Sequence, residues 1–176
     1  MNTFSRKCHN ILCSMFSGRF FVSNLNLKNL FINLAIPLSV GFISSLLTKD
    51  SMNMYKNVNQ PEFAPPSTIF PVVWTILYIL MGISSYIVVE SDSNLKGKSI
   101  FVYYMQLIVN FFWPIIFFNL RMYLFAFFWL LLLWILTFYM IILFKKINKL
   151  SSYIQIPYLL WLTFASFLNF SVYLLN

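Results

Sequence analysis

Charge is what this sequence has least of. Of its 176 residues, 4 are Asp or Glu and 12 are Lys or Arg, so charged side chains make up 9% of the chain, against roughly 25% in soluble domains. A water-facing surface cannot be assembled from so few charges. That excludes a soluble enzyme, a disordered chain and a free nucleic-acid binder. The net charge of +8 does not restore nucleic acid as a partner, because the basic residues stand between apolar runs rather than in one patch. There is a single histidine, His9, and there are two cysteines, Cys8 and Cys13. Two cysteines are too few for a disulfide framework. Their spacing with His9 fits no standard zinc pattern and a fourth ligand is missing. What the chain has in place of charge is apolar surface: 60% of it is hydrophobic and 20% aromatic, with a mean hydropathy of +0.79.

The gaps between charges carry the organisation. Residues 29–47, 69–89, 99–119, 122–144 and 152–175 contain no Asp, Glu, Lys or Arg. A helix rises 1.5 Å per residue, so ~20 residues cross the ~30 Å hydrocarbon core of a bilayer. A Lys or Asp at the centre of such a helix costs ~2.5–3.5 kcal/mol on insertion scales. Barrel strands are an alternative, but they alternate apolar with polar over ~10 residues, whereas 124–136 is apolar at every position. The sequence therefore predicts an all-α integral membrane protein, a bundle of five transmembrane helices over 29–176. The links at 120–121, 145–151 and 90–98 are short, which makes successive spans antiparallel neighbours.

Lys and Arg set the orientation. Arg6, Lys7, Arg19, Lys28, Lys96, Lys98, Lys145, Lys146 and Lys149 fall on one side, against Lys49, Lys56 and Arg121 on the other. This places the N-terminus in the cytoplasm. Residues 1–28 are a basic tail, expected to be poorly ordered. The absence of acidic residues there is similar to a transit peptide, with an interfacial tail as the alternative.

Inside the spans, small residues at four-residue spacing (Ala35 with Ser39, Gly41 with Ser45) mark helix-packing faces. The third span is more specific. Gln106, Asn110, Trp113 and Phe117 recur at helical spacing on one face. Two amides and an indole on one stripe point into the bundle or a cavity, with Asn169 of the fifth span as a candidate amide partner. Trp74 and Tyr78 share a face of the second span. Tyr158, Trp161, Ala165 and Leu168 share one of the fifth, where Trp161 is too deep for an interfacial anchor. Trp129 and Trp134 are read as packing or lipid-facing. The first connection, 48–68, has three prolines in six positions around Phe63, a stiff segment suited to a spacer or to a lid over one end of the bundle.

Three runs together resemble the translocator proteins, also called tryptophan-rich sensory proteins or peripheral-type benzodiazepine receptors. The first is Pro61-Glu62-Phe63-Ala64-Pro65-Pro66, followed by Val73-Trp74-Thr75-Ile76-Leu77-Tyr78 and Met81-Gly82. The second runs from Gln106 through Asn110 to Trp113-Pro114, and the third from Pro157-Tyr158 through Trp161 and Ala165 to Leu168-Asn169. The resemblance covers about residue 30 to the end. It implies a five-helix bundle, often a homodimer, in a bacterial cell membrane or, alternatively, a mitochondrial outer membrane. It implies a pocket that binds tetrapyrroles such as protoporphyrin or haem, ahead of sterols. The expected ligand-binding residues are Phe63, Trp74, Tyr78, Gln106, Asn110, Trp113, Trp161, Ala165 and Leu168. In some bacterial members light-dependent porphyrin breakdown is assigned to two tryptophans, which match Trp74 and Trp161. Two departures are visible: Ser67-Thr68-Ile69 follows the double proline where many members have a tryptophan, and Phe63 stands where many have Trp. The sterol motif near the C-terminus is incomplete, because Val172-Tyr173 lacks its following base.

The chemistry left open is narrow. No Asp, Glu, Lys, Arg or His falls inside a span, so general acid–base work and ion coupling have no side chain there. No cofactor is called for. Recognition by rings remains, worth ~0.5–1.5 kcal/mol per aromatic pair beyond area burial. The reading ranks a ligand-binding translocator or sensor first, a non-enzymatic modulator of a partner protein second and a photo-oxidative enzyme third.

Overall fold

In the computed structural model, which describes residues 26–55 and 58–176, the chain forms α1 (Leu27–Tyr55), α2 (Ile69–Val89), α3 (Lys96–Pro114), α4 (Tyr123–Ile147), α5 (Lys149–Ile154) and α6 (Ile156–Leu175). A π-helical turn, Ile115–Asn119, extends α3. No strand occurs among the described residues. The tail with Cys8, His9 and Cys13, and Lys56 in the first connection, lie outside the described residues. Among the described residues, five helical stretches are long and apolar enough to cross a membrane: Leu27–Lys49, Ile69–Val89, Lys96–Asn119, Tyr123–Ile147 and Lys149–Leu175.

Several of these stretches run a few residues past the charge-free gaps. Lys145 and Lys146 occupy the last turn of α4. Their long stems let a helix continue while the charge reaches water, and a cation at a helix C-terminus is favoured by the macrodipole. The link from α4 to the last span shrinks to Asn148, whose extended backbone ends one helix and whose Oδ1 accepts from Leu150 N at 2.8 Å to begin the next. The last span is itself broken at Gln155, between α5 and α6. The turn into α4 is equally tight, with Arg121 at φ 55°.

The helices form a ring in which α1 packs on α2 and α3, α3 on α4, and α4 on α6. Between α2 and the last span the close backbone contact is made by α5, while the backbones of α2 and α6 barely approach one another and meet through side chains. The ring is thus closed at one end and parted at the other. At the closed end Ser84 Oγ donates to Ser151 O at 2.7 Å, joining α2 to α5. At the parted end the first connection fills in. Asn59 N donates to Asn176 Oδ1 at 3.1 Å and Asn176 Nδ2 to Asn59 O at 3.0 Å. Phe63 meets Phe164, with 6.5 Å between ring centroids. The stiff proline segment is therefore fastened across the end of α6.

Helices α1 and α2 diverge along their length. Pro37 cannot donate to the carbonyl of Asn33 four residues earlier. That carbonyl lies against Gly82, where an added Cβ would stand 2.8 Å from Asn33 O and from Leu34 Cα. Two turns further along α1, the Tyr78 ring occupies the space over Gly41, and an added Cβ there would overlap it. Glycine at both positions is thus explained by close approach, first of backbone and then of a ring. Beyond Tyr78 the two helices enclose a cavity. Outside the ring, Phe128, Leu132, Ile135, Tyr139 and Ile142 of α4 are exposed on one helical stripe, while Leu130, Leu133 and Met140 of the same helix are fully buried.

Candidate ligand-binding site

The cavity has a volume of ≈ 400 Å³. Its α1 wall is Leu38, Gly41, Phe42, Ser44, Ser45 and Thr48, and its α2 wall is Phe70, Pro71, Trp74, Thr75 and Tyr78. Trp113, Pro114 and Phe118 complete it from α3 and the π turn. None of these side chains is charged. Ser44 and Thr48 turn their hydroxyls to helix carbonyls: Ser44 Oγ donates to Phe111 O at 3.3 Å and Thr48 Oγ1 to Ser44 O at 3.0 Å. The first of these ties α1 to α3 just before the π turn, a geometry often found at functional sites.

Trp74 is the hub of the aromatic wall. Its ring centroid lies 5.6 Å from that of Tyr78, 6.4 Å from Trp113 and 6.2 Å from Tyr158. Trp113 in turn stacks on Phe117 at 5.5 Å. Asn169 fixes the Trp113 indole from α6: with its amide oriented to satisfy both neighbours, it accepts from Trp113 Nε1 at 3.2 Å and donates to Tyr123 O at 2.8 Å.

Beneath Tyr78 runs a buried chain of hydrogen bonds. Tyr78 Oη donates to Asn110 Oδ1 at 2.7 Å, Asn110 Nδ2 donates to Tyr158 Oη at 2.9 Å, and Tyr158 Oη donates to Gln106 Oε1 at 3.0 Å. The chain joins α2, α3 and α6 through buried side chains. Each link is worth ~0.6 kcal/mol on average in measured membrane proteins, up to ~1.7.

The residues singled out in the sequence fall into three groups. Trp74, Tyr78 and Trp113 line the cavity. Gln106 and Asn110 face inward as their spacing requires, but they lie below the cavity, bonded to tyrosines. Their partner is Tyr158, not Asn169, which the sequence offered and which instead serves Trp113. Phe63, Trp161, Ala165 and Leu168 do not reach the cavity wall. Phe63 is 54% exposed in the first connection. Trp161 sits behind Phe70, at 6.0 Å, and beside Phe164, at 5.4 Å. Ala165 and Leu168 are buried in α6. Trp129 and Trp134 prove to be packing residues with bonded indoles: Trp129 Nε1 donates to Val109 O at 2.8 Å and Trp134 Nε1 to Thr163 Oγ1 at 2.9 Å.

Sequence reasoning missed the whole α1 wall. Its one signal was the run of small residues at Gly41, Ser44 and Ser45, and small residues have the same spacing whether a helix or a cavity lies opposite.

The same sequence pattern recurs among known proteins. Residues 33–175 match the TspO/MBR family. The chain is 36% identical over 157 residues to the tryptophan-rich protein TspO of Archaeoglobus fulgidus, covering 86% of this chain and 99% of that one. It is 33% identical to the tryptophan-rich protein TspO of Chlorobaculum tepidum over 87% of this chain and 99% of that one. Against the translocator protein of Homo sapiens it is 30% identical, over 70% of this chain and 75% of the other. With five apolar helices in the order the family match spans, this chain is a multi-pass integral membrane protein of the TspO/MBR family.

Proposed function

We propose that the protein is a membrane receptor of the translocator and sensory type, and that its cavity binds a flat aromatic macrocycle of the tetrapyrrole class, such as protoporphyrin or haem. Family membership supports the translocator or sensor role. The volume of ≈ 400 Å³ falls in the range of small-molecule sites, ~300–1,000 Å³. The observation that carries the reading is the placement of Trp74, which offers its ring to the cavity and is backed by Tyr78, Trp113 and Tyr158. A rigid aromatic wall binds a planar ring by stacking and edge contact without first having to be ordered. A haem would be held by its faces, because the described wall offers no imidazole.

The test is a titration of the protein in lipid nanodiscs with protoporphyrin, read by quenching of tryptophan fluorescence. Trp74→Phe should weaken binding about tenfold, the equivalent of ~1.4 kcal/mol. Trp161→Phe should weaken it less, since that ring lies behind Phe70. Equal affinity in the wild type and in both variants would remove the cavity from consideration. The photo-oxidative alternative predicts a bound product on illumination, lost in Trp74→Phe. Bleaching at the same rate without Trp74 would dismiss it.

A further inference from the structure

The closed end of the bundle buries polar groups that find no hydrogen-bond partner among the described residues. Gln155, at the joint between α5 and α6, is fully buried, and neither its Oε1 nor its Nε2 has a hydrogen-bond partner. Gln106 is also fully buried. Its Oε1 accepts from Tyr158, but its Nε2 finds no acceptor. Tyr103 Oη and Thr137 Oγ1 are buried and unpartnered in the same way.

These groups belong to one place. Gln155 and Tyr158 are three residues apart and share a face at the start of α6, as Tyr103 and Gln106 do on α3. The bond from Tyr158 to Gln106 brings those two faces together. Thr137 of α4 lies beside the Tyr158 hydroxyl and Tyr103 beside Ser85, in each case short of hydrogen-bond geometry. Five unpartnered atoms on four side chains thus lie within about a turn of the Tyr158–Gln106 bond or beside it, on α3, α4 and the α5–α6 joint.

A buried polar group left without a partner costs ~1–3 kcal/mol, and in a bilayer no bulk water can relieve it. The set mixes groups that only donate (the two Nε2) with one that only accepts (Gln155 Oε1) and hydroxyls that do either. Water both donates and accepts, and buried waters typically make ~3 hydrogen bonds to groups otherwise unsatisfied. A bare cation would leave the amide donors unmet. We propose that this cluster is an internal water-binding site: ordered water held by Gln155, Gln106 Nε2, Tyr103 Oη and Thr137 Oγ1 bridges the broken last span to α3 and α4. Through Gln106, Tyr158, Asn110 and Tyr78 the site is the inner end of a hydrogen-bond chain whose outer end is the cavity wall. It does not depend on which ligand the cavity takes.

Two measurements on the full chain in nanodiscs test this. The first is thermal unfolding of Gln155→Met, Gln106→Met and the double variant. A hydrated site predicts that Gln155→Met lowers Tm by about 3–5 °C and that the two substitutions are non-additive, because they share water. A dry site predicts the reverse sign, since an unsatisfied amide replaced by an apolar chain of similar length is stabilising. The second measurement is X-ray hydroxyl-radical footprinting, which oxidises side chains next to bound water even when they are buried. Tyr103 and Tyr158 should be modified several-fold more than Phe144, which is as deeply buried. Modification at the level of Phe144 overturns the proposal whatever the Tm shows, and a raised Tm in Gln155→Met overturns it as well.

Discussion

The two ends of the bundle are made by the same helices and solve opposite problems. At the closed end α1 meets α2 backbone to backbone at Gly82, and Ser84, Ser85, Ser151 and Asn33 bond across the gaps. At the parted end α1 and α2 are held apart by the Tyr78 ring, and aromatic side chains surround open space. Hydrogen-bonding groups buried in lipid fix a single arrangement, because each must find its partner. Rings have no such obligation, so they can face open space without leaving a hydrogen bond unmade. The change from one regime to the other takes place within two turns of α2, between Gly82 and Trp74, and Tyr78 is its pivot.

Gly82→Val attacks the closed end and should have the largest effect. The Cβ would stand 2.8 Å from the Asn33 carbonyl and Leu34 Cα. Both are backbone atoms that cannot rotate away. We expect a loss of about 3 kcal/mol, at the upper end of overpacking in a core, measured as reversible unfolding in mixed micelles. A loss under 1 kcal/mol would mean that α1 and α2 can part along their whole length, and the contrast between the two ends would disappear. Next in size is Asn110→Leu. It removes the acceptor of Tyr78 and the donor to Tyr158 together, and should cost about 2 kcal/mol. It should also loosen the Tyr78 ring and weaken protoporphyrin binding, although Asn110 is not on the cavity wall. Full affinity in a destabilised Asn110→Leu protein would show that the cavity holds its shape without the chain beneath it.

These effects explain which parts could be read from the sequence. The five spans were legible because a charge in hydrocarbon is so costly that its absence over ~20 residues has few other causes. The ends of the spans were less so, since Lys145 and Lys146 can extend a helix by carrying charge outward on long stems. The break at Gln155 was hidden, because the residue lies in an uncharged stretch and Pro157 is compatible with a helix start. On α3 the spacing of Gln106, Asn110 and Trp113 revealed a buried face, since two amides exclude the lipid side. It could not reveal what that face touches. Asn169 and Tyr158 both point inward from α6, but they stand 11 residues apart, about 16 Å along the axis, and only the packed bundle decides which is level with Asn110. The α1 wall was illegible for a different reason: almost every lipid-exposed position on these helices is apolar, so hydrophobicity does not separate outside from inside.

A finer cut at the pivot is Tyr78→Phe, which keeps the ring over Gly41 and removes only the bond to Asn110. The loss should be about 0.6–1.7 kcal/mol, with the cavity shape and protoporphyrin affinity retained. If affinity instead falls as far as in Asn110→Leu, the hydroxyl rather than the ring sets the width of the cavity.

The smallest expected effect is that of Gly97→Ala, and it isolates what position does to a glycine. Gly97 lies in the first turn of α3, exposed, and a Cβ there meets nothing within 4 Å. Only the intrinsic term remains, in which Ala gains up to ~1 kcal/mol over Gly in a helix interior and less in a fraying first turn. Unfolding should shift upward by a few tenths of a kcal/mol. Helix propensity differs by no more than about 1 kcal/mol between these substitutions, so most of the roughly 3 kcal/mol expected between them comes from the approach of α1 to Gly82. If Gly97→Ala were as damaging as Gly82→Val, close packing could not be the reason for glycine at the closed end, and the divergence of α1 from α2 would need another cause.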